Sequence, residues 1–217
     1  MRRPRFRVWA ALIAACLAGP AGCKTDKKAP PQASPQDARP ADLSGKKVLM
    51  VIASRYFQDT EFEESARILR QAKAVVVVAS STTEACTGML GGTVEPDVLL
   101  SDVKDVGEYA AVIFVGGGGA EEFFDDPHAH RIAQAAAAAG KPVAAICIAP
   151  TILANAGLLK GKKATAWFSG EQKRHLEAQG AQYVKAPVVR DGNIITATGP
   201  KSAQAFAEAV CKALAGK

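Results

Sequence analysis

From residue 46 onward, short unbroken apolar runs alternate with segments whose apolar residues recur every three or four positions. Residues 48–53 show no polar alternation, the pattern of a strand covered on both faces, and 74–79 repeat it with four consecutive valines. Between them, residues 59–72 set Phe62, Ala66 and Leu69, with Ile68 nearby, on one side and predict a helix. Residues 87–94, with Gly88, Gly91 and Gly92, predict a small hairpin or loop excursion. A third buried strand over 110–115 runs into four glycines at 116–119. Asp126-Pro127 opens a helix that runs through alanines to Ala139 and is stopped by Gly140. Residues 142–146 form the next strand and 150–156 the helix after it. Asp191-Gly192, between Val188-Val189 and Ile194-Ile195-Thr196, predicts a hairpin, and Gly199-Pro200 opens a closing helix that ends near Leu214. This alternation predicts an α/β fold, a mostly parallel sheet with helices on both faces, in one domain over 45–217.

The first 44 residues follow another pattern. Arg2, Arg3, Arg5 and Arg7 precede an apolar run over 8–18, and Gly19, Pro20, Ala21 and Gly22 lead to Cys23. A basic stretch, a short apolar core and small residues predict an export signal over 1–22, too short for a membrane span. Small residues before Cys23 resemble a bacterial lipobox, although Pro20 stands where a leucine is usual. Cys16 fits the same pattern but leaves a very short apolar core, so Cys23 is the favoured acylation site. The competing reading is a plain secretory signal. Residues 23–44, with Pro30, Pro31, Pro35 and Pro40, predict an extended spacer. The expected location is thus the cell envelope, a periplasm-facing lipoprotein held to the membrane through Cys23.

Removing the leader changes the charge. The chain has 27 basic and 21 acidic residues, net +6; four arginines and no acids precede Cys23, so the remainder carries +2. With 6% aromatic residues and no basic stripe, nucleic acid is not an expected partner.

Cys147 carries the clearest chemistry. Ala145 lies two positions before it and Ala149 two after, between a predicted strand and a predicted helix. A nucleophile elbow needs small residues there, because bulk collides with the tight turn. A thiol at a helix start faces unpaired N–H groups, which predicts a favoured thiolate. The competing reading is a core cysteine, since free cysteine is among the most buried residue types; the flanking alanines and Pro150 favour the elbow. The glycine run fails the dinucleotide-binding register, with Glu121 or Glu122 at the third glycine position. It predicts close backbone approach instead, with the Gly117 or Gly118 N–H stabilising an oxyanion; a merely flexible turn is the alternative. Asp59 reads as an N-cap and Glu61 as a first-turn acid, both structural on those grounds alone.

As a set, the strand at 48–53 followed by Phe57-x-Asp59-x-Glu61, the glycine turn with Glu122, Cys147 followed by Ala149-Pro150, Asp191-Gly192-Asn193 and Gly199-Pro200 resemble the ThiJ/PfpI family of the class I glutamine amidotransferase-like superfamily. The likeness covers residues 46–214. It implies a flavodoxin-like three-layer sandwich, usually dimeric, with a reactive cysteine and no cofactor. Activities attributed to members include glyoxalase or deglycase, peptidase and chaperone action and oxidative-stress sensing. Peptidase-like members carry a histidine directly after the cysteine; Ile148 stands here, which removes the Cys–His pair and argues against protease chemistry. Many members place a glutamate beside the sulfur, and Gln58 aligns there, able to donate a hydrogen bond to a thiolate or oxidised sulfur. One extra residue near Arg55-Tyr56 would bring Glu61 to that place instead. The resemblance also assigns Glu122 to the site, Trp167, Gly199 and Pro200 to its lining, and the Ile148 backbone to the oxyanion groups with Gly117 and Gly118.

The remaining candidates are weaker. His128 and His130 are two apart and do not share a helical face, so no metal pair is expected. His175 lies among Lys173 and Arg174 and predicts a solvated face. Cys86 and Cys211 are either a disulfide or two independent thiols. The leading expectation is an enzyme in which Cys147 adds to a small carbonyl electrophile such as a 2-oxoaldehyde, with Glu61 or Glu122 moving protons. The alternative is a non-catalytic, redox-responsive or protective envelope protein, with Cys147 reversibly oxidised.

Overall fold

The computed structural model describes residues 41–216; the leader, the spacer up to residue 40 and both acylation candidates, Cys16 and Cys23, lie outside the described residues. In chain order the elements are β1 (Lys47–Val51), β2 (Arg55–Phe57), α1 (Asp59–Gln71), β3 (Val75–Ser80), β4 (Cys86–Gly88), β5 (Thr93–Val94) and β6 (Val98–Leu99). There follow β7 (Tyr109–Phe114), α2 (Pro127–Ala138), β8 (Val143–Ile146), α3 (Pro150–Asn155), β9 (Lys163–Ala164) and α4 (Gly170–Ala178). The chain closes with β10 (Gln182–Tyr183), β11 (Val188–Asp191), β12 (Ile194–Ala197) and α5 (Ala203–Leu214).

Unbroken apolar runs became central strands, as a sheet covered on both faces requires. The main sheet has the order β11-β12-β8-β7-β1-β3-β6. Its pairs are parallel except β11–β12, the hairpin turned at Asp191-Gly192. Val48 to Val51, Ala111 to Phe114 and Val143 to Ile146 are all buried, and each large aliphatic among them contributes about 1.5–3 kcal/mol. Helices cover both faces: α1 packs on α5, while α2 lies against β7, β8 and α3. The chain leaves β1 for β3 on one side and returns to β7 on the other. That reversal opens a crevice at the carboxyl ends of β1 and β7, where such folds place their sites.

Local chemistry explains the helix starts. The Asp126 side chain accepts from Ala129 N at 2.7 Å, with Pro127 in the first turn of α2. The expected cap at Asp59 is corrected: Gln58 caps α1, its Oε1 accepting from Glu61 N at 2.8 Å. Asp59 is otherwise engaged, since its carboxylate accepts from Leu90 N and Gly92 N, both at 2.8 Å. Those bonds hold the β4–β5 excursion, an antiparallel hairpin whose β4 also pairs with β2.

Other expectations change as well. The packed unit begins before residue 45, because Leu43 is fully buried and its N–H donates to Ala72 O at 2.7 Å. Gly199-Pro200 leads into a 3-10 turn, Pro200–Ser202, and the closing helix starts only at Ala203. His175 is half-buried and hydrogen-bonded to Asn155 Oδ1 at 2.7 Å, not solvated. Cys86 and Cys211 are separate, buried free thiols, so the disulfide alternative is excluded. Among the described residues, no helix is long and apolar enough to cross a membrane.

Candidate active site around Cys147

Cys147 follows β8 at a corner with φ 65°, left-handed backbone that a non-glycine residue adopts only under constraint. The constraint is visible: Cys147 N donates to Ala197 O at 2.9 Å, and Cys147 O accepts from Trp167 N at 2.7 Å. Strand pairing on one side and the 165–169 loop on the other thus fix the corner, and α3 leaves it through Pro150.

Gly116 lies just after β7, beside this corner. A methyl group there would collide with Cys147 Cβ and stand 2.7 Å from Glu61 Oε2, so only glycine fits. Its N–H donates to Glu61 Oε2 at 3.0 Å. Glu61, on the first turn of α1, is fully buried, and its Oε1 has no hydrogen-bond partner. Glu61 therefore supplies the carboxylate beside the sulfur. Gln58 does not; its carbonyl oxygen caps α1 and its backbone N–H donates to Gly116 O at 2.9 Å.

The sulfur is buried as well, Cys147 being 8% exposed. Burial pushes its thiol up to about 12, reinforced by the Glu61 charge, while the Gly117 and Ile148 N–H groups directed at the sulfur pull it down. Burial likewise pushes the Glu61 carboxyl up to about 7, against the pull of the Gly116 N–H and the thiol. The expectation of an unaided low-pKa thiol is therefore corrected. Two acids share a dry site, and the first charge there raises the cost of a second. Oε2 is engaged by the Gly116 N–H, while Oε1 is buried without a partner.

The other expected site residues divide clearly. Gly117 and Ile148 present N–H groups to the sulfur; the Gly118 N–H is not among those directed there. Gly118 instead begins a 3-10 turn, Gly118–Phe123, that carries Glu122 away. Glu122 accepts from Ser54 N at 2.9 Å, Ser54 Oγ at 3.0 Å and Ser81 Oγ at 2.9 Å, and its charge bears on Cys86. It is corrected to a loop anchor. Trp167 does line the site: it is 48% exposed, and its ring edge lies over Gly199, with Pro200 next in the chain. Among the described histidines, His130 bonds Phe124 O and His175 bonds Asn155, and the groups acting on the sulfur are Glu61, Gly117 and Ile148, none an imidazole. No group of three His, Cys, Asp or Glu side chains among the described residues is placed to hold a metal.

Asp59 was missed as a site-building residue. It ties the β4–β5 hairpin to the start of the helix that carries Glu61. The sequence signal was an acid two positions before Glu61 facing glycines at 88 and 92, where a side chain would overlap the carboxylate.

Comparison with known proteins gives the chain a family and a set of relatives. The model of the DJ-1/PfpI family matches residues 46–213. A Methanocaldococcus jannaschii protein of uncharacterized role is 37% identical over 174 residues, 80% of this chain and 84% of that one. A Pyrococcus abyssi protein named as a deglycase is 31% identical over 166 residues, 76% of this chain and 98% of the other. The crystal structure of a ThiJ/PfpI domain protein from Brachyspira murdochii superposes with a TM-score of 0.76 at 34% identity, covering 80% of this chain and 99% of that chain.

Proposed function

This chain belongs to the DJ-1/PfpI family, and from that premise we propose that it is a cysteine-dependent, cofactor-free enzyme acting on small carbonyl electrophiles, with glyoxalase- or deglycase-like chemistry. The observation that carries the reading is a buried carboxyl, Glu61, set beside a sulfur on a left-handed corner that two N–H groups address. The deglycase name of the Pyrococcus relative supports the same class.

The reaction follows from the groups present. The Glu61 carboxylate takes the Cys147 proton as the sulfur adds to the aldehyde carbon of a 2-oxoaldehyde, forming an S–C bond. The new alkoxide, stabilised by N–H groups of the Gly117 and Ile148 corner, takes the Glu61 proton and becomes a hemithioacetal. The Glu61 carboxylate then removes the proton from that carbon and returns it to the neighbouring carbonyl carbon through an enediol. The result is a thioester of a 2-hydroxy acid, with no net redox change. Water cleaves the S–C bond, releasing the 2-hydroxy acid and restoring the thiol. Ile148, in place of a histidine, leaves the nucleophile without the imidazole partner of Cys–His peptide hydrolysis.

The test is consumption of methylglyoxal with formation of lactate. Cys147→Ser is expected to abolish it, and Glu61→Gln to lower kcat by about 10²–10⁴-fold. Turnover that survives Cys147→Ser overturns the proposal. We further infer that this chemistry takes place at the cell envelope, on the strength of the leader and Cys23.

A further inference from the structure

Trp167 is placed as a wall, not a lid. Its N–H donates to Cys147 O at 2.7 Å, and its carbonyl accepts from Ser169 N at 2.7 Å. The Ser169 side chain in turn caps α4, accepting from Gln172 N at 3.1 Å. The Trp167 backbone is thus held from both sides. A methyl group at Gly199 would stand 2.8 and 2.9 Å from the ring atoms Cε3 and Cζ3 and 3.8 Å from Glu61 Oε1. Gly199, at φ 151°, is the residue type that leaves this space open. The ring edge and the unpartnered, fully buried Oε1 therefore flank one point, next to the corner that carries the sulfur.

The rest of the indole is open, at 48% exposure, and Phe168 beside it is 53% exposed, with Lys185 Nζ 6.0 Å from its ring centroid. Cys147 by contrast is 8% exposed. A sulfur nearly closed to solvent beside two half-exposed aromatic residues suits a small reactive head on a planar tail. A methyl tail leaves the indole in water, whereas a ring covers it with the offset or edge-on contact that aromatic pairs prefer.

Resting on the reading of Cys147 as the nucleophile toward 2-oxoaldehydes, we propose that Trp167 is a specificity-determining residue that selects 2-oxoaldehydes bearing a flat aromatic tail over those bearing a methyl group.

The experiment compares kcat/KM for phenylglyoxal and methylglyoxal in wild type, Trp167→Phe and Trp167→Ala. Wild type is expected to favour phenylglyoxal by about tenfold, Trp167→Phe to keep most of that ratio, and Trp167→Ala to bring it near one. A ratio unchanged by Trp167→Ala, with both compounds consumed, overturns the inference and leaves the proposed function standing. A second arm needs no turnover. In ¹⁵N-labelled Cys147→Ser protein, acetophenone is expected to shift the Trp167 indole N–H resonance saturably, while acetone does not. If neither aldehyde is consumed, the proposed function falls. The indole resonance then decides the inference alone: saturable, acetophenone-specific shifts support it and their absence overturns it.

Discussion

The Gly116 amide donates to Oε2 of Glu61 at 3.0 Å, joining the glycine turn after β7 directly to the first turn of α1 beside Cys147. That bond fixes the carboxylate against the corner that carries the sulfur. It also makes the thiol and the carboxyl one titrating unit, since each changes the other's affinity for protons.

The unit releases its first proton near the value of about 7 held by Glu61 and its second far higher, near the value of about 12 held by Cys147. Alkylation of Cys147 by iodoacetamide is expected to stay slow through neutral pH and to climb only well above the ordinary thiol range of about 8.5. In Glu61→Gln the climb should begin at lower pH, because the carboxylate charge no longer opposes the thiolate. A profile that Glu61→Gln leaves unmoved contradicts the coupling.

Stability should depend on pH through the same carboxyl. Its folded value, about 7, lies above its ordinary 4.5, so the folded chain keeps a proton that the unfolded chain has released between those values. The contribution is whole below the ordinary value and is lost as pH rises through the folded one. At about 1.4 kcal/mol per pH unit, the loss is about 3 kcal/mol. Urea midpoints of wild type should fall across this window, and those of Glu61→Gln should stay flat; parallel curves would assign the dependence to another group.

Gly116→Ala should cost about 1–3 kcal/mol from overpacking, because its methyl group meets Cys147 Cβ and the Glu61 carboxylate. Cysteine-dependent turnover should drop with it. Circular dichroism melts and the methylglyoxal assay check both, and an unperturbed melt would show that the corner yields freely.

Asp59→Ala strips the acceptor from two hairpin amides. The expected loss is about 1–3 kcal/mol, with faster hydrogen exchange at Leu90 and Gly92 than elsewhere in the chain. Uniform exchange across both proteins would remove Asp59 from its anchoring role.

In a bacterial host, the full chain should incorporate labelled palmitate and fractionate with membranes. Cys23→Ala should lose both properties and Cys16→Ala neither. Label retained by Cys23→Ala would move the anchor, and no label in any protein would make the leader an ordinary secretory one.

The strands at the centre of the sheet were legible because Val48 to Val51 or Ala111 to Phe114 can be uninterrupted only when helices cover both faces. The elbow was legible from Ala145 and Ala149, since the turn itself demands small neighbours. Its proton chemistry was not. Whether Cys147 ionises easily depends on how much water the assembled core excludes, and a helix start says nothing of that. Gln58 and Glu61 could not be separated locally, because both lie at the start of α1 and only the Gly116 amide distinguishes them. Glu122 misled for a related reason: it follows the glycine turn closely, yet the 3-10 turn rotates it toward Ser54 and Ser81.

The left-handed corner at Cys147 has an evolutionary side. Glycine would occupy that conformation without penalty, and asparagine with little. Were the thiol no longer needed, drift at position 147 should run toward those two residues, and the protein should gain thermal tolerance as it lost reactivity. A cysteine retained there in descendant lineages is thus a mark of continuing use, kept against the backbone's own preference.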